Sequence, residues 1–270
     1  MIRTQTLIVF NSSRDPAIAD DHIQALRWAC QEDCHVVFVD DRQALPAGER
    51  DGWSVHHTKL PLLPELAGFR RMAVLQEVIN IGTSFQCAWL LSDDTLPIRP
   101  GLDRVILQTM REQNAGLLGV ADRHDYNDAF VFCTSLFAEW GLPFERWQTG
   151  TAVPIDGFVV LSQALVLALF RKQLLVPEGI ERWSLPWGVY ISWVSQLLGY
   201  YQHLQGSVDR PVPPIYADVT PGCRLSPPPH ILSDEFLLYH SLRQVRGFNE
   251  EEIRLGYRKL RAGRSRESLQ

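Results

Sequence analysis

Two adjacent carboxylates, Asp93 and Asp94, follow an apolar run from Ala88 to Leu91 inside the segment Trp89–Pro100, WLLSDDTLPIRP. The run reads as a buried strand that gives way to a turn at Pro97 and Pro100. Carboxylates at the end of a buried strand are costly unless their charge is compensated. A divalent cation compensates it, because hard cations take carboxylate oxygens. A solvated turn in which one acid caps the next helix does so as well. Similar residues close the other apolar runs. Asn11-Ser12-Ser13-Arg14-Asp15-Pro16 ends Thr6–Phe10, and Asp40-Asp41-Arg42 ends Val36–Val39. Asp156 precedes Gly157 and the apolar run Phe158–Leu161, Glu181 lies in a loop, and His230 and His240 follow a proline-rich stretch. The His56-His57 pair lacks the i, i+4 spacing with which a helix offers two imidazoles to one metal, so it reads as an ordinary loop pair.

Several familiar chemistries find no support. No GxGxxG follows the first run and no GxxxxGK[ST] occurs, which removes the dinucleotide fingerprint and the P-loop. No GxSxG occurs, which removes the α/β-hydrolase elbow. The cysteines Cys30, Cys34, Cys87, Cys133 and Cys223 form no CxxC pair and are odd in number, so neither a disulfide framework nor a zinc site is indicated. A reducing compartment fits such cysteines best. Net charge is −5, so nucleic acid is not the expected partner. Ile2–Phe10 is too short for a signal peptide, and Phe158–Phe170 is interrupted by Ser162 and Gln163 and too short to span a bilayer. The expectation is a soluble, cytoplasmic protein whose membrane contact is at most peripheral.

The elements that would position these residues alternate. Thr6–Phe10 is a strand. Ala17–Cys30 is a helix with Ile18, Ile23, Leu26 and Cys30 along one stripe. Val36–Val39 is a strand and Trp53–Val55 begins a short one. Glu65–Ile81 reads as a helix with Leu66, Phe69, Met72, Ala73 and Ile79 near one face, and Gly68, Arg70 and Arg71 at its start. Ala88–Leu91 follows as a strand. This alternation predicts an α/β fold, a mostly parallel sheet flanked by helices in a single domain. Ligands in such sheets bind beyond the carboxyl ends of the strands. Further on, Leu102–Gln113 reads as a helix, Gly116–Val120 and Ala129–Cys133 as strands, and Gln163–Leu175 and Gly188–Tyr201 as helices. Arg210–Pro229 holds Pro211, Pro213, Pro214, Pro221 and Pro227 to Pro229 and should run extended without regular structure. Ser233–Val245 and Asn249–Arg261 read as closing helices.

The order of these features resembles the nucleotide-binding half of GT-A glycosyltransferases, especially the large inverting family that includes cellulose- and chitin-type enzymes. The matching residues, in the family's order, are Phe10–Arg14, Asp40 or Asp41 in VVFVDD, Gly68-Phe69-Arg70-Arg71, and Ser92-Asp93-Asp94-Thr95-Leu96-Pro97. The resemblance covers roughly residues 1–120. It implies a nucleotide-contacting loop at Asn11 and Arg14, a base-contacting acid at Asp40 or Asp41, and a metal motif at residues 92–94. By the same resemblance, residues 1–120 form a nucleotide-sugar-binding half, 121–232 an acceptor-side half of the same domain, and 233–270 the C-terminal helices and tail. Ser92 stands where the first acid of the family's DxD motif is expected. Pro186-Trp187-Gly188 stands where an acidic pair with the catalytic base is expected. A nucleotidyltransferase shares a related layout, but its first loop is normally Gly-rich, and Asn11–Pro16 has no Gly.

The implied chemistry is transfer of a sugar from a nucleotide-diphosphate sugar to a glycan or other hydroxyl acceptor. A cation, Mn2+ or Mg2+, would stabilise the leaving diphosphate. Asp94 would hold it with help from Asp93, and His240 corresponds to the C-terminal histidine that some GT-A enzymes use as a further ligand. Arg14 or Arg71 would add positive charge at the phosphates. An inverting reaction needs a carboxylate to take the acceptor proton, and the nearest acids are Asp156 and Glu181. Trp140, Trp147, Trp183, Trp187 and Trp193 are candidate platforms for an acceptor sugar, or core residues. The alternative is a catalytically lapsed GT-A-like binding or scaffold protein, motivated by Ser92 and the missing acidic pair.

Overall fold

The computed structural model describes residues 3–13, 16–63, 66–93, 95–97, 100–121, 154–180, 187–205, 216–218 and 238–240. The elements are β1 (Thr6–Ser12), α1 (Pro16–Ala29), β2 (Cys34–Asp40), β3 (Gly48–Arg50), β4 (Trp53–His56), α2 (Ala67–Asn80), β5 (Cys87–Ser92) and β6 (Thr95–Pro97). They continue as α3 (Leu102–Glu112), β7 (Leu117–Ala121), β8 (Pro154–Ser162), α4 (Gln163–Arg171), α5 (Trp187–Leu197), β9 (Gln202–Gln205), β10 (Tyr216–Asp218) and β11 (Leu238–His240).

An eight-stranded sheet runs in the order β3-β4-β2-β1-β5-β8-β7-β9. Its central strands β2, β1 and β5 are parallel and in register, with Asn11 beside Val39 on one side and Ser92 on the other. Every residue of β1 and β5 is buried. That explains why these strands read as unbroken apolar runs rather than as an alternation: both sheet faces are covered. Leu7, Val9, Val37, Val39, Ala88 and Leu90 face one core with Phe69, Met72, Leu165, Tyr190 and Val194. Ile8, Phe10, Val36, Phe38, Trp89 and Leu91 face the other with Ile23, Leu26, Ile106 and Leu107. The α/β architecture with a mostly parallel sheet is the one expected.

The sheet corrects several details. β8 runs antiparallel to both β5 and β7, and β3 and β9 are strands that the apolar pattern did not mark. α2 buries Val74, Leu75 and Val78 together with Phe69 and Met72, while Ala73 and Ile79 are only half-buried, so the apolar stripe is rotated from the one expected. α4 stops at Arg171 instead of reaching Leu175, because Gln173 turns left-handed at φ 57° and Leu174 N–H closes back on Leu169 O. α5 stops at Leu197 for the same reason, with Gly199 at φ 80°. Trp187 and Trp193 are 0% and 3% exposed, which makes them core and not acceptor platforms.

A second, three-stranded sheet runs β10-β11-β6. It replaces a turn at Thr95–Pro97, regular structure being absent at 216–218, and part of the helix expected over Ser233–Val245. A short apolar run such as Phe236–Tyr239 carries no period long enough to separate helix from strand, and here pairing with β6 decides. Ala129–Cys133 and Asn249–Arg261 lie outside the described residues. No helix among the described residues is long and apolar enough to cross a membrane.

α2 and α5 meet at Gly68. A Cβ there would fall 2.2 Å from Cγ of the buried Trp187 ring. Helix propensity favours alanine over glycine by about 1 kcal/mol, whereas overpacking a dense core costs about 1–3 kcal/mol. The 2.2 Å approach is too close for a small adjustment, so the clash wins. Gly68→Ala is therefore expected to lower the urea midpoint with an unchanged slope, a net loss of about 1–2 kcal/mol; an unchanged or raised midpoint would contradict this packing.

Candidate functional site

The carboxyl ends of β1, β2 and β5 lie side by side, and the first turn of α2 packs behind them. Each strand delivers polar residues just where its apolar run ends: Asn11 and Ser12 from β1, Asp40 and Asp41 from β2, Ser92 and Asp93 from β5. All of them are buried, as are Arg70 and Arg71. Burial at this density requires that each charge find partners.

One acid carries most of that compensation. Arg70 grips Asp41 with two donors, Nε to Oδ1 at 2.8 Å and one terminal nitrogen to Oδ2 at 3.0 Å. Its other terminal nitrogen donates to the carbonyls of Pro61 and Leu63 at 3.0 and 2.8 Å. Asn11 Nδ2 donates to Asp41 Oδ2 at 2.8 Å, and Asn11 Oδ1 in turn accepts from Arg71. Arg71 is fully buried, contacts Leu91 O at 3.4 Å, and places its guanidinium 5.4 Å from the centre of the Trp187 ring. A continuous chain, Arg70–Asp41–Asn11–Arg71, thus ties α2 to β2 and β1. Arg71 is linked to the strand ends through its hydrogen bond to Asn11.

Asp93 belongs to a separate arm. Ser12 Oγ donates to Asp93 Oδ2 at 2.8 Å, which bridges the ends of β1 and β5. Asp40 serves its own loop, accepting from the backbone N–H groups of Arg42 at 3.0 Å and Leu45 at 2.7 Å. Of the two acids offered for base contact, Asp41 is thus bound by Arg70 and Asn11, and Asp40 shapes the turn after β2. Neither Asp93 nor Asp94 caps α3, whose N-cap is Gly101 with φ 85°.

Two further sequence candidates are brought near the end of β5 by backbone register. The paired register of β5 and β8 ends at Leu91 with Phe158. Asp93 follows Leu91 by two residues and Asp156 precedes Phe158 by two on the antiparallel strand, so Asp156 lies inside β8 instead of before it. β11 pairs with β6 so that His240 stands opposite Thr95, the residue that follows Asp94 in sequence. His240 is therefore on a strand, not on the inner side of a helix. Arg14, Asp94 and Glu181 lie outside the described residues, as do the side chains of Asp156 and His240. Trp140, Trp147, Trp183 and His230 are outside them too. Among the described residues no three His, Cys, Asp or Glu side chains gather as a metal site.

Sequence reasoning missed the role of Asp103. It is fully buried and accepts N–H from Gln31 at 3.0 and 3.1 Å and from Glu32 at 2.7 Å, pinning the corner between α1 and β2. An acid in the first turn of a helix reads as a dipole partner, and only the fold shows that it faces another loop. A histidine pair at the sheet edge was also unexpected: Nε2 of His35 and of His56 lie 3.2 and 3.1 Å from the same buried Ser54 hydroxyl.

The chain is similar to three solved structures. One is a glycosyltransferase involved in the glycosylation of the major capsid of PBCV-1, at 10% identity and TM-score 0.49, covering 96% of this chain and 99% of that one. Another is mouse xyloside xylosyltransferase 1 in its apo form, at 11% identity and TM-score 0.47, covering 92% and 100%. The third is the mannosyltransferase PcManGT from Pyrobaculum calidifontis in complex with GDP-Man and Mn2+, at 10% identity and TM-score 0.45, covering 76% and 56%. No family model and no curated protein matches the sequence.

Asp41→Asn removes the charge that Arg70 needs while leaving the guanidinium buried. Breaking such a pair from one side typically costs about 3–5 kcal/mol. Denaturant unfolding should show a loss of that size, against a change near zero for the exposed control Glu112→Gln. The edge histidines supply a pH dependence. Burial lowers the pKa of both His35 and His56 from 6.5, although the glutamates near them oppose the shift. Between the depressed folded values and 6.5 the unfolded chain binds more protons, so stability falls as pH drops through that window. His56→Gln should flatten the decline measured by denaturant titration from pH 7 to pH 5, and an equally steep curve would contradict the assignment.

Proposed function

We propose that the chain is a glycosyltransferase that moves a sugar from a nucleoside-diphosphate sugar to a hydroxyl acceptor at the ends of β1, β2 and β5. The observation that carries this reading is Asp93, a carboxylate 6% exposed at the end of a central parallel strand and held there by Ser12 of the neighbouring strand. Strand ends of this kind are where α/β sheets bind ligands. The GT-A-like order of motifs described above supplies the class of donor.

The donor set suits a divalent cation. Asp93 offers carboxylate oxygen, Asp94 adjoins it, and β11 places the backbone of His240 opposite Thr95. Oxygen ligands with an imidazole match Mn2+ or Mg2+ better than a soft metal. When bound there, the cation would neutralise charge developing on the leaving diphosphate. The remaining work falls to the chain. Ser12 orients Asp93 through the 2.8 Å hydrogen bond. Arg71 and Asp41 hold Asn11 at the first strand end, where its position suits contact with the nucleotide. Asp156, on the neighbouring antiparallel strand β8, would accept the proton of an acceptor hydroxyl.

Calorimetric titration of the folded protein with UDP- and GDP-sugars, with and without Mn2+, tests the proposal. Binding of one donor that depends on the cation is expected, and it should weaken about 10–100-fold in Ser12→Ala, whose hydroxyl positions the ligand acid. Asp156→Asn should keep donor affinity and lose transfer. Absence of binding by every donor to folded protein would reject the reading. Cation-independent binding without turnover, unchanged in Asp94→Ala, would favour a lapsed binding protein, for which Ser92 in place of the first acid already speaks.

A further inference from the structure

On the sheet face that α2 covers, three polar side chains from β2 and β4 meet. Ser54 stands beside Val37 of β2 and opposite Glu49 of β3. His56 follows Ser54 by two residues, and His35 precedes Val37 by two, so alternation along the strands puts all three on the face of the core residues Val37 and Val39. Ser54 is fully buried. Nε2 of His35 and Nε2 of His56 both reach its hydroxyl, at 3.2 and 3.1 Å.

A serine hydroxyl has one hydrogen and two lone pairs, so both contacts are met and the buried hydrogen is used when one ring nitrogen donates and the other accepts. The flanking carboxylates decide which ring does which. Glu77 Oε2 of α2 lies 4.0 Å from Nδ1 of His56, and Glu49 Oε2 lies 3.8 Å from Nε2 of His35. These distances are too long for hydrogen bonds, but a negative charge favours a hydrogen on the nitrogen that faces it. His56 therefore carries its hydrogen on Nδ1 and accepts at Nε2, while His35 donates from Nε2. The chain runs from His35 Nε2–H to Ser54 Oγ–H to His56 Nε2. His57 stands outside it, donating Nε2–H to Leu45 O at 2.9 Å.

Charged groups face the two rings from every neighbouring element. Burial is the largest influence and lowers both pKa values; Glu49 and Asp33 oppose it at His35, where Arg27 of α1 adds to it. Glu77 and Glu49 oppose it at His56, where His35 and His57 add to it. Both glutamate side chains are mostly exposed, so they bias the rings without holding them. A cation is better tolerated on His56, whose side chain is 21% exposed against 12% for His35 and which lacks a neighbouring arginine.

We propose that His35, Ser54 and His56 form a relay that binds a single proton and places its charge on His56, against Glu77 of α2. A proton taken up at Nδ1 of His35 displaces the hydrogen on Nε2, which passes to Ser54 Oγ as the hydroxyl's own hydrogen passes to His56 Nε2. The product is neutral His35 with its hydrogen on Nδ1, a hydroxyl that now donates back to His35, and an imidazolium at His56. No atom is gained beyond the one proton. A second proton would leave two donors on one hydroxyl and its hydrogen without an acceptor in the relay, beside two like charges, so the triplet holds one. His56 closes β4 beside Val39, the residue before Asp40, and Glu77 shares α2 with Arg70 and Arg71. The bound proton thus lies between the sheet edge and the helix that ties the strand ends together.

Long-range 1H–15N correlation spectra of the full-length protein with 15N-labelled histidine rings test this, with His35→Gln and His56→Gln assigning the signals. Near pH 8, Nε2 of His56 should show the shift of an unprotonated ring nitrogen, and Nε2 of His35 that of a protonated one. On acidification His56 should become doubly protonated while His35 moves its hydrogen from Nε2 to Nδ1, both with one midpoint. Ser54→Ala should uncouple the rings, giving separate midpoints and a His35 that keeps its Nε2–H. Glu77→Gln, at a mostly exposed position, should shift the His56 midpoint downward. Two rings both protonated at Nε2 near pH 8 would overturn the proposal, as would spectra unchanged in Ser54→Ala; an unmoved midpoint in Glu77→Gln would overturn the placement of charge. The wild-type spectra decide by themselves if Ser54→Ala fails to fold.

Discussion

Arg70 and Asp41 form a bidentate ion pair with side chains only 6% and 2% exposed, and the strand-end region is arranged around it. A buried pair is stabilising only when the remaining donors and acceptors are met. Here they are met by residues from the loop after β4 and from β1. Pro61 and Leu63 give carbonyls from the loop after β4, Asn11 gives its amide from β1, and Asn11 passes the contact on to Arg71 in α2. Any movement of α2 relative to β1 or β2 would break this chain and strand a charge. The ends of the parallel strands are therefore held in one arrangement by polar contacts, where apolar packing has run out.

The same polar contacts reach towards Asp93. Asp93 is joined to β1 through Ser12. A carboxylate that must meet a cation, a phosphate or a reacting hydroxyl performs best when its position is set before the ligand arrives. The division of labour among the acids follows from this. Asp41 neutralises Arg70, Asp40 closes its own turn, Asp103 closes a distant corner, and Asp93 joins the ends of β5 and β1. Like residue types with near-identical sequence contexts thus serve unlike ends, and their partners distinguish them.

The two ends of the sheet differ in composition. Polar strand ends gather at the carboxyl side, whereas Cys34 and Cys87 open β2 and β5 at the amino side. Both groups rest on the parallel register of the same strands. The register aligns residues in rows across the sheet, and so each row gathers side chains that are remote in sequence.

Much of this was legible in the sequence. The alternation of apolar runs with amphipathic stretches determined the α/β class, since strands covered on both faces must be continuously apolar, and the polar residues that end Thr6–Phe10, Val36–Val39 and Ala88–Leu91 marked the site's edge. Tertiary structure alone decided the rest. Asp40 and Asp41 are adjacent and alike, and only the position of Arg70 shows which of them is neutralised. The stripe of α2 rotated because Arg70 and Arg71, polar by type, are the residues turned inward. His240 came to stand opposite Thr95 through pairing of β11 with β6, and Cys34 and Cys87 came to flank Thr6 through β1. Local sequence carries propensity and periodicity, which act over a turn or a strand. Pairing between distant segments depends on which surfaces the whole chain can bury together, and that is settled only when the core closes.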